Sequence, residues 1–234
     1  MRIFLTLTAY LCLVILAGCS PREAAPPTVD SVLDRYIAAL GGRSQLEIRE
    51  AQVIYGHRIT QLPSLDTAEV VLFQVYARPG NWTLQTASES FGVDARGGWY
   101  SDGDSVRADS GKLRSKLAYV FDPQGPLRLG EYFSDLRFGE FRELEYRQVT
   151  GIRTDRTDTY YTLWFDRETA LLNGIGFHWN LLDYRPVAGV LMPHIIAEGR
   201  KGGAVTYYID SVRVNAGLSD SEFARPVDPR LSAR

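Results

Sequence analysis

Gln52-Val53-Ile54-Tyr55-Gly56-His57-Arg58-Ile59 decides the fold class. Val53, Tyr55, His57 and Ile59 alternate with Ile54, Gly56 and Arg58, and a period of two is the mark of a β-strand. The same period returns in Glu69–Arg78, which puts Val71, Phe73, Val75 and Ala77 on one face. Pro79-Gly80-Asn81 is a turn, after which Trp82, Leu84 and Thr86 begin a third strand. Phe91–Tyr100 reads as a fourth, with a bulge or bend at Gly97-Gly98. Strands resume at Phe141–Ile152, Thr159–Asp166, Gly174–Asn180, Val190–Gly199 and Ala204–Val214, with a hairpin at Lys201-Gly202-Gly203-Ala204. So many short alternating runs, in a chain with 12% aromatic residues and 21 glycines, favour an antiparallel sheet over a helical bundle. A sheet of nine or so strands must curl.

The helices are few. Val29, Val32, Leu33, Tyr36, Ile37 and Leu40 form one apolar stripe at helical spacing. Thr28 can cap that helix, Asp30 suits its first turn, and Gly41-Gly42 stop it. Its polar face carries Asp34 and Arg35 rather than a basic strip, so it is expected to pack on the sheet and not on a membrane. In the middle, Leu113, Leu117 and Phe121 predict a short helix ended by Asp122-Pro123. Leu129, Tyr132, Phe133 and Leu136 predict another. No boundary or internal repeat divides residues 29–234, which read as a single mainly-β domain of α+β type.

The N-terminus carries a second message. Ile3–Ala17 is apolar, but it is about 15 residues long and holds Thr6, Thr8 and Tyr10, where a membrane span needs roughly 20 apolar residues. It ends in Leu16-Ala17-Gly18-Cys19, which resembles the lipobox of bacterial lipoproteins. That resemblance implies a signal peptide over 1–18, cleavage before Cys19, and acylation of Cys19 as a membrane anchor. By the rule for Gram-negative lipoproteins, Ser20 points to the periplasmic face of the outer membrane. Residues 19–28 are then the lipidated N-terminus and a proline-rich tether of roughly 28 Å at most, at about 3.1 Å per residue. The chain has two cysteines, Cys12 and Cys19. With Cys12 in the signal, the mature domain keeps no thiol for disulfides, redox pairs or cysteine zinc sites.

Sites of chemistry are sparse. The precursor's net charge is −2, with basic residues scattered among acidic ones, so no nucleic-acid partner is expected. The three histidines, His57, His178 and His194, have no metal-ligand spacing, and HExxH, GxSxG and phosphate-binding glycine motifs do not occur. His178, between Phe177 and Trp179, reads as a solvated or structural residue. Asp102-Gly103-Asp104 resembles the start of a calcium loop, yet Val106 stands where the next oxygen ligand would be; a β-turn is expected. Asn81-Trp82-Thr83 is a sequon that a bacterial lipoprotein would not use. No spacing among the 28 acidic residues favours a catalytic pair. The expectation is a protein without enzymatic activity or cofactor.

Several pieces, in order, resemble the LolA/LolB-like superfamily of outer-membrane lipoprotein-sorting proteins. They are Tyr36-Ile-Ala-Ala-Leu-Gly-Gly42, Ala95-Arg-Gly-Gly-Trp99, Trp164-Phe-Asp166 with Leu171-Leu172, and Tyr184-Arg-Pro-Val-Ala-Gly-Val-Leu-Met-Pro193. Asn215–Pro226 follows, with Leu218-Ser-Asp220 and Phe223-Ala-Arg-Pro226. The resemblance implies a strongly curved antiparallel sheet forming an unclosed barrel, with helices covering its concave side over an apolar cavity. It also implies binding of lipid or lipoprotein acyl chains. Phe73, Trp82, Trp164, Phe177, Trp179 and Tyr207 are the large residues expected to line such a cavity or, equally, to fill the core. The superfamily includes a receptor anchored in the outer membrane, and Leu62, Leu65 and Phe91 are candidate analogues of that receptor's membrane-inserting loop. Partners would be the membrane, an apolar ligand, and a periplasmic carrier or envelope protein. The alternative is an envelope assembly or sensing lipoprotein that binds another protein through its sheet.

Overall fold

The computed structural model describes residues 27–61, 68–94, 97–108, 114–133, 135–144, 147–154, 161–176, 178–200 and 203–227. Cys19, the tether up to residue 26, Leu62, Leu65, Leu113 and Phe177 lie outside them.

Helix α1 spans Val29–Ala39. Thr28 Oγ1 accepts from the Ser31 amide at 3.2 Å while Ser31 Oγ accepts from the Thr28 amide at 2.9 Å, a reciprocal cap that satisfies two amides the helix itself cannot. The stripe Val32, Tyr36, Ile37 and Leu40 is buried against the sheet, as its pattern predicts. A five-residue helix, α2 (Arg43–Glu47), follows at once and has no counterpart in the sequence reading. Its one buried apolar residue, Leu46, gives too little pattern to see.

Among the described residues, thirteen strands form one antiparallel sheet. They are β1 Gln52–Gln61, β2 Glu69–Arg78, β3 Asn81–Gln85, β4 Ser90–Asp94, β5 Gly97–Ser101, β6 Val106–Ala108, β7 Arg137–Leu144, β8 Arg147–Thr154, β9 Tyr161–Asp166, β10 Leu172–Ile175, β11 Trp179–Val187, β12 Val190–Arg200 and β13 Gly203–Val214. Their order, β6-β5-β4-β3-β2-β1-β13-β12-β11-β10-β9-β8-β7, is two meanders joined where β1 pairs with β13. The sheet is unclosed: β6 and β7 stand at opposite edges. Between the meanders lie α3 (Arg114–Phe121), a 3-10 turn at Gly125–Arg128 and α4 (Leu129–Tyr132).

Three long strands of the sequence reading are hairpins. Phe91–Tyr100 divides into β4 and β5, paired Asp94 to Gly97, so Gly97-Gly98 opens a new strand and is not a bend in an old one. Gly97, at φ +107°, turns the chain. Phe141–Ile152 divides into β7 and β8, which pair down to Leu144 and Arg147. Gly174–Asn180 divides into β10 and β11. In each case the apolar and polar letters of the sequence go on alternating across the reversal, so the period alone does not mark it. Asp102-Gly103-Asp104 is the expected turn, with Asp102 Oδ1 accepting from the Ser105 amide at 2.9 Å.

The core lies between the sheet and α1, α3 and α4. Val71, Phe73, Val75 and Ala77 do share one face of β2, and the last three are buried. Trp82 meets Phe91 and, from α3, Phe121 edge-on at 5.8 and 5.6 Å. Tyr36 of α1 meets Phe165 of β9 at 5.3 Å. Gly56 is required beneath Phe73, because a Cβ there would lie 2.5 Å from the phenyl ring and 2.2 Å from the Tyr208 carbonyl.

Candidate binding cleft

Two of the sequence pieces quoted above meet in space. The Leu191 amide donates to the Leu40 carbonyl at 2.8 Å, tying the end of α1 to the start of β12. Gly41, at φ +120°, passes so close that a Cβ would sit 2.3 Å from the Gly189 carbonyl. This junction forms one side of a shallow cleft of about 400 Å³, nearly all of it open mouth and packing gaps, with about 30 Å³ of free interior. Tyr36 and Leu40 come from α1, Leu46 from α2, and Tyr119 and Val120 from α3. Leu181 and Tyr184 come from β11, and Val190, Leu191, Met192 and Pro193 from β12. The wall is mostly apolar, with a small set of polar groups, which is the general make-up of a small-molecule site.

Three tyrosines line it. The Tyr36 and Tyr119 hydroxyls form a short mutual hydrogen bond. Tyr184 donates to the Leu172 carbonyl at 2.6 Å. Burial pushes the Tyr36 hydroxyl up to about 12, and pushes Tyr119 and Tyr184 well above the usual phenol range, where proximity to Tyr36 adds to the effect. These groups stay neutral at any physiological pH and act as fixed polar anchors within an apolar wall.

The second polar group is a buried carboxylate. Asp122, whose side chain is 1% exposed, accepts from the Gly80 amide at 3.0 Å, the Gln124 amide at 2.8 Å, Arg128 Nη1 at 2.8 Å and the Tyr132 hydroxyl at 2.5 Å. It pins α3 and α4 to the β2–β3 turn and thereby fixes one wall of the cleft. Arg128 is held from its other side by Glu131. The third is Arg49, on the connection from α2 to β1 and only 3% exposed.

The described residues named for a cavity or a filled core do not line this cleft. Phe73, Trp82, Trp179 and Tyr207 are buried members of the main core, and none of them lines the cleft. Phe73 and Tyr207 pack edge-on at 5.8 Å. Trp164 is buried outside that cluster, between Leu163 and Phe165, which belong to it; its Nε1 donates to the Gly176 carbonyl at 3.0 Å. Phe91 is also core. Tyr36, Tyr119, Asp122 and Arg49 escaped the sequence reading as site residues, because their roles come from side chains meeting across distant elements. The histidines are dispersed: His57 bonds Asp210 at 3.1 Å and stacks on Tyr208, His194 bonds the Met192 carbonyl, and His178 is exposed. Among the described residues no group of His, Cys, Asp or Glu is placed to hold a metal ion, and no helix is long and apolar enough to cross a membrane.

No family model and no curated protein sequence matches the chain. Solved structures do match its shape. A LolA superfamily protein from Nitrosomonas europaea superposes with a TM-score of 0.60 at 12% identity, over 86% of this chain and 99% of that one. A DUF1329 family protein from Desulfovibrio piger gives 0.58 at 11% identity, over 84% and 97%. A putative outer membrane lipoprotein-sorting protein domain from Vibrio parahaemolyticus gives 0.57 at 12% identity, over 82% and 94%. The unclosed antiparallel sheet backed by helices, matched over nearly the full length of these structures, is the LolA-superfamily fold, and this chain adopts it.

Proposed function

We propose that the protein is a lipoprotein of the bacterial cell envelope, anchored through Cys19, that binds an apolar ligand such as lipid or lipoprotein acyl chains without catalysing a reaction. The observation that carries the reading is the apolar cleft between the helices and the β11–β12 end of the sheet. The fold shared with a lipoprotein-sorting domain supports it. Transfer of a chain into the cleft is driven by the hydrophobic effect at about 0.8 kcal/mol per buried CH₂. Helices α1 and α3, short and held by polar contacts, form the covering wall. Native mass spectrometry of the protein purified from the periplasm tests this: bound lipid is expected as discrete added mass. A protein that is always empty and takes up no fluorescent fatty acid contradicts it.

One observation favours a second reading, in which the sheet surface binds another envelope protein. Val70 and Leu72 of β2 are 60% and 74% exposed, on the face opposite Phe73 and close to Tyr55 of β1. Leu72→Glu separates the two readings, because it would abolish such a contact and leave lipid uptake intact.

A further inference from the structure

Arg49 is a buried cation with a buried donor left over. Its Nη2 donates to Gln52 Oε1 at 3.1 Å, and its Nε, buried, has no partner among the described residues. A guanidinium offers five N–H donors, so one satisfied bond leaves it far from saturated. Asp122, the carboxylate on the same cleft, is taken up by the Gly80 and Gln124 amides, Arg128 and Tyr132. Gln52 turns its own Nε2 to the Phe121 carbonyl at 2.7 Å. Arg49 therefore lies in the cleft wall without a carboxylate bonded to it.

The surrounding backbone is built to hold it there. Gln124 Nε2 donates to the Glu47 and Arg49 carbonyls at 3.0 and 3.2 Å. Asn215 accepts from the Glu50 amide at 2.9 Å and donates to the Ile48 carbonyl at 3.0 Å. Burying an unpaired charge is costly, and an apolar side chain of similar volume would fold here more readily. A guanidinium matches the two oxygens of a carboxylate or phosphate.

Building on the acyl-chain reading, we propose that the cleft takes an anionic amphiphile, whose carboxylate or phosphate head sits on Arg49 and whose chain lies along Leu40, Val120, Leu181 and Met192. Burial alone draws the Arg49 guanidinium down to about 10, the direction expected where a counter-anion is missing. A bound oxyanion reverses that effect and takes up the idle donors.

Titration calorimetry of the purified protein with decanoate, decyl phosphate, 1-decanol and inorganic phosphate tests the assignment. Decanoate and decyl phosphate are expected to bind at least about tenfold more tightly than decanol, from one charge-assisted contact. Arg49→Met should remove that preference, bringing decanoate and decanol to comparable affinity, and melt no lower than the parent. Arg49→Lys keeps the charge and should keep part of the preference, which covers the case of a misfolded methionine variant. Equal binding of decanoate and decanol by the parent, or an undiminished preference in a folded Arg49→Met, overturns the head-group site while leaving the acyl-chain reading standing. Binding of neither overturns both. Inorganic phosphate binding as tightly as decyl phosphate overturns the amphiphile in favour of a free oxyanion.

Discussion

Replacing Asp122 with alanine should loosen the helical wall of the cleft, and the size of the effect follows from its four donors. Arg128 can turn to Glu131 and to water, since its side chain is 24% exposed. The Gly80 and Gln124 amides and the half-buried Tyr132 hydroxyl have less recourse. Each buried polar group left unpaired costs roughly 1–3 kcal/mol, and removing one partner of a buried ion pair typically costs 3–5 kcal/mol. With partial rehydration, a loss of about 3–4 kcal/mol is expected, a large share of the roughly 5–15 kcal/mol that holds a domain folded. Urea unfolding followed by tryptophan fluorescence measures it, because Trp82 packs against Phe121 beside Asp122. The midpoint should fall with an unchanged denaturant slope. The double variant with Arg128→Ala should lose less than the sum of the two single losses, by about 1–2 kcal/mol, since they share one contact. A loss under about 1 kcal/mol for Asp122→Ala, or strict additivity, would refute the claim that this carboxylate ties the wall together.

Tyr36, Tyr119 and Tyr184 have folded-state values above the ordinary phenol range, so their contribution to stability is complete below pH 10 and is lost as pH rises from there through about 12 for Tyr36. Ultraviolet titration should show these phenols ionising together with unfolding, and free titration near pH 10 in a still-folded protein would contradict their burial. Gly41→Ala places a Cβ against the Gly189 carbonyl and should cost more than about 1 kcal/mol, with faster hydrogen exchange at the Leu191 amide. Trp82→Ala should cost about 3–5 kcal/mol in the same urea assay; a smaller loss would mean that Trp82 borders open space and not packed core. Cys19→Ala should abolish palmitate labelling, and continued labelling would exclude Cys19 as the anchor.

Much of the fold is legible in the chain because its causes are local. The α1 stripe, the Thr28 cap, the β1 and β2 alternation and the Asp122-Pro123 stop each depend on residues within a few positions of one another. The hairpins inside Phe91–Tyr100 and Phe141–Ile152 are not, since alternation persists across their turns. The cleft is less legible still. Val71, Phe73, Val75 and Ala77 reveal which face of β2 turns inward, but large apolar residues look alike in sequence whether they fill a core or wall a pocket. Arg49 belongs to no motif. Its significance arises only once Gln124 and Asn215, distant in the chain, fix the backbone around it and Asp122 is committed elsewhere.

Methyl NMR of the protein titrated with decanoate tests directly whether the cleft binds an acyl chain. The account predicts saturable shifts at Leu40, Leu181, Val190 and Met192, with Val75 and Leu84 in the packed core and Val70 and Leu72 on the outer face unmoved. Shifts confined to Val70 and Leu72, or none at saturating decanoate, would contradict an acyl-binding cleft.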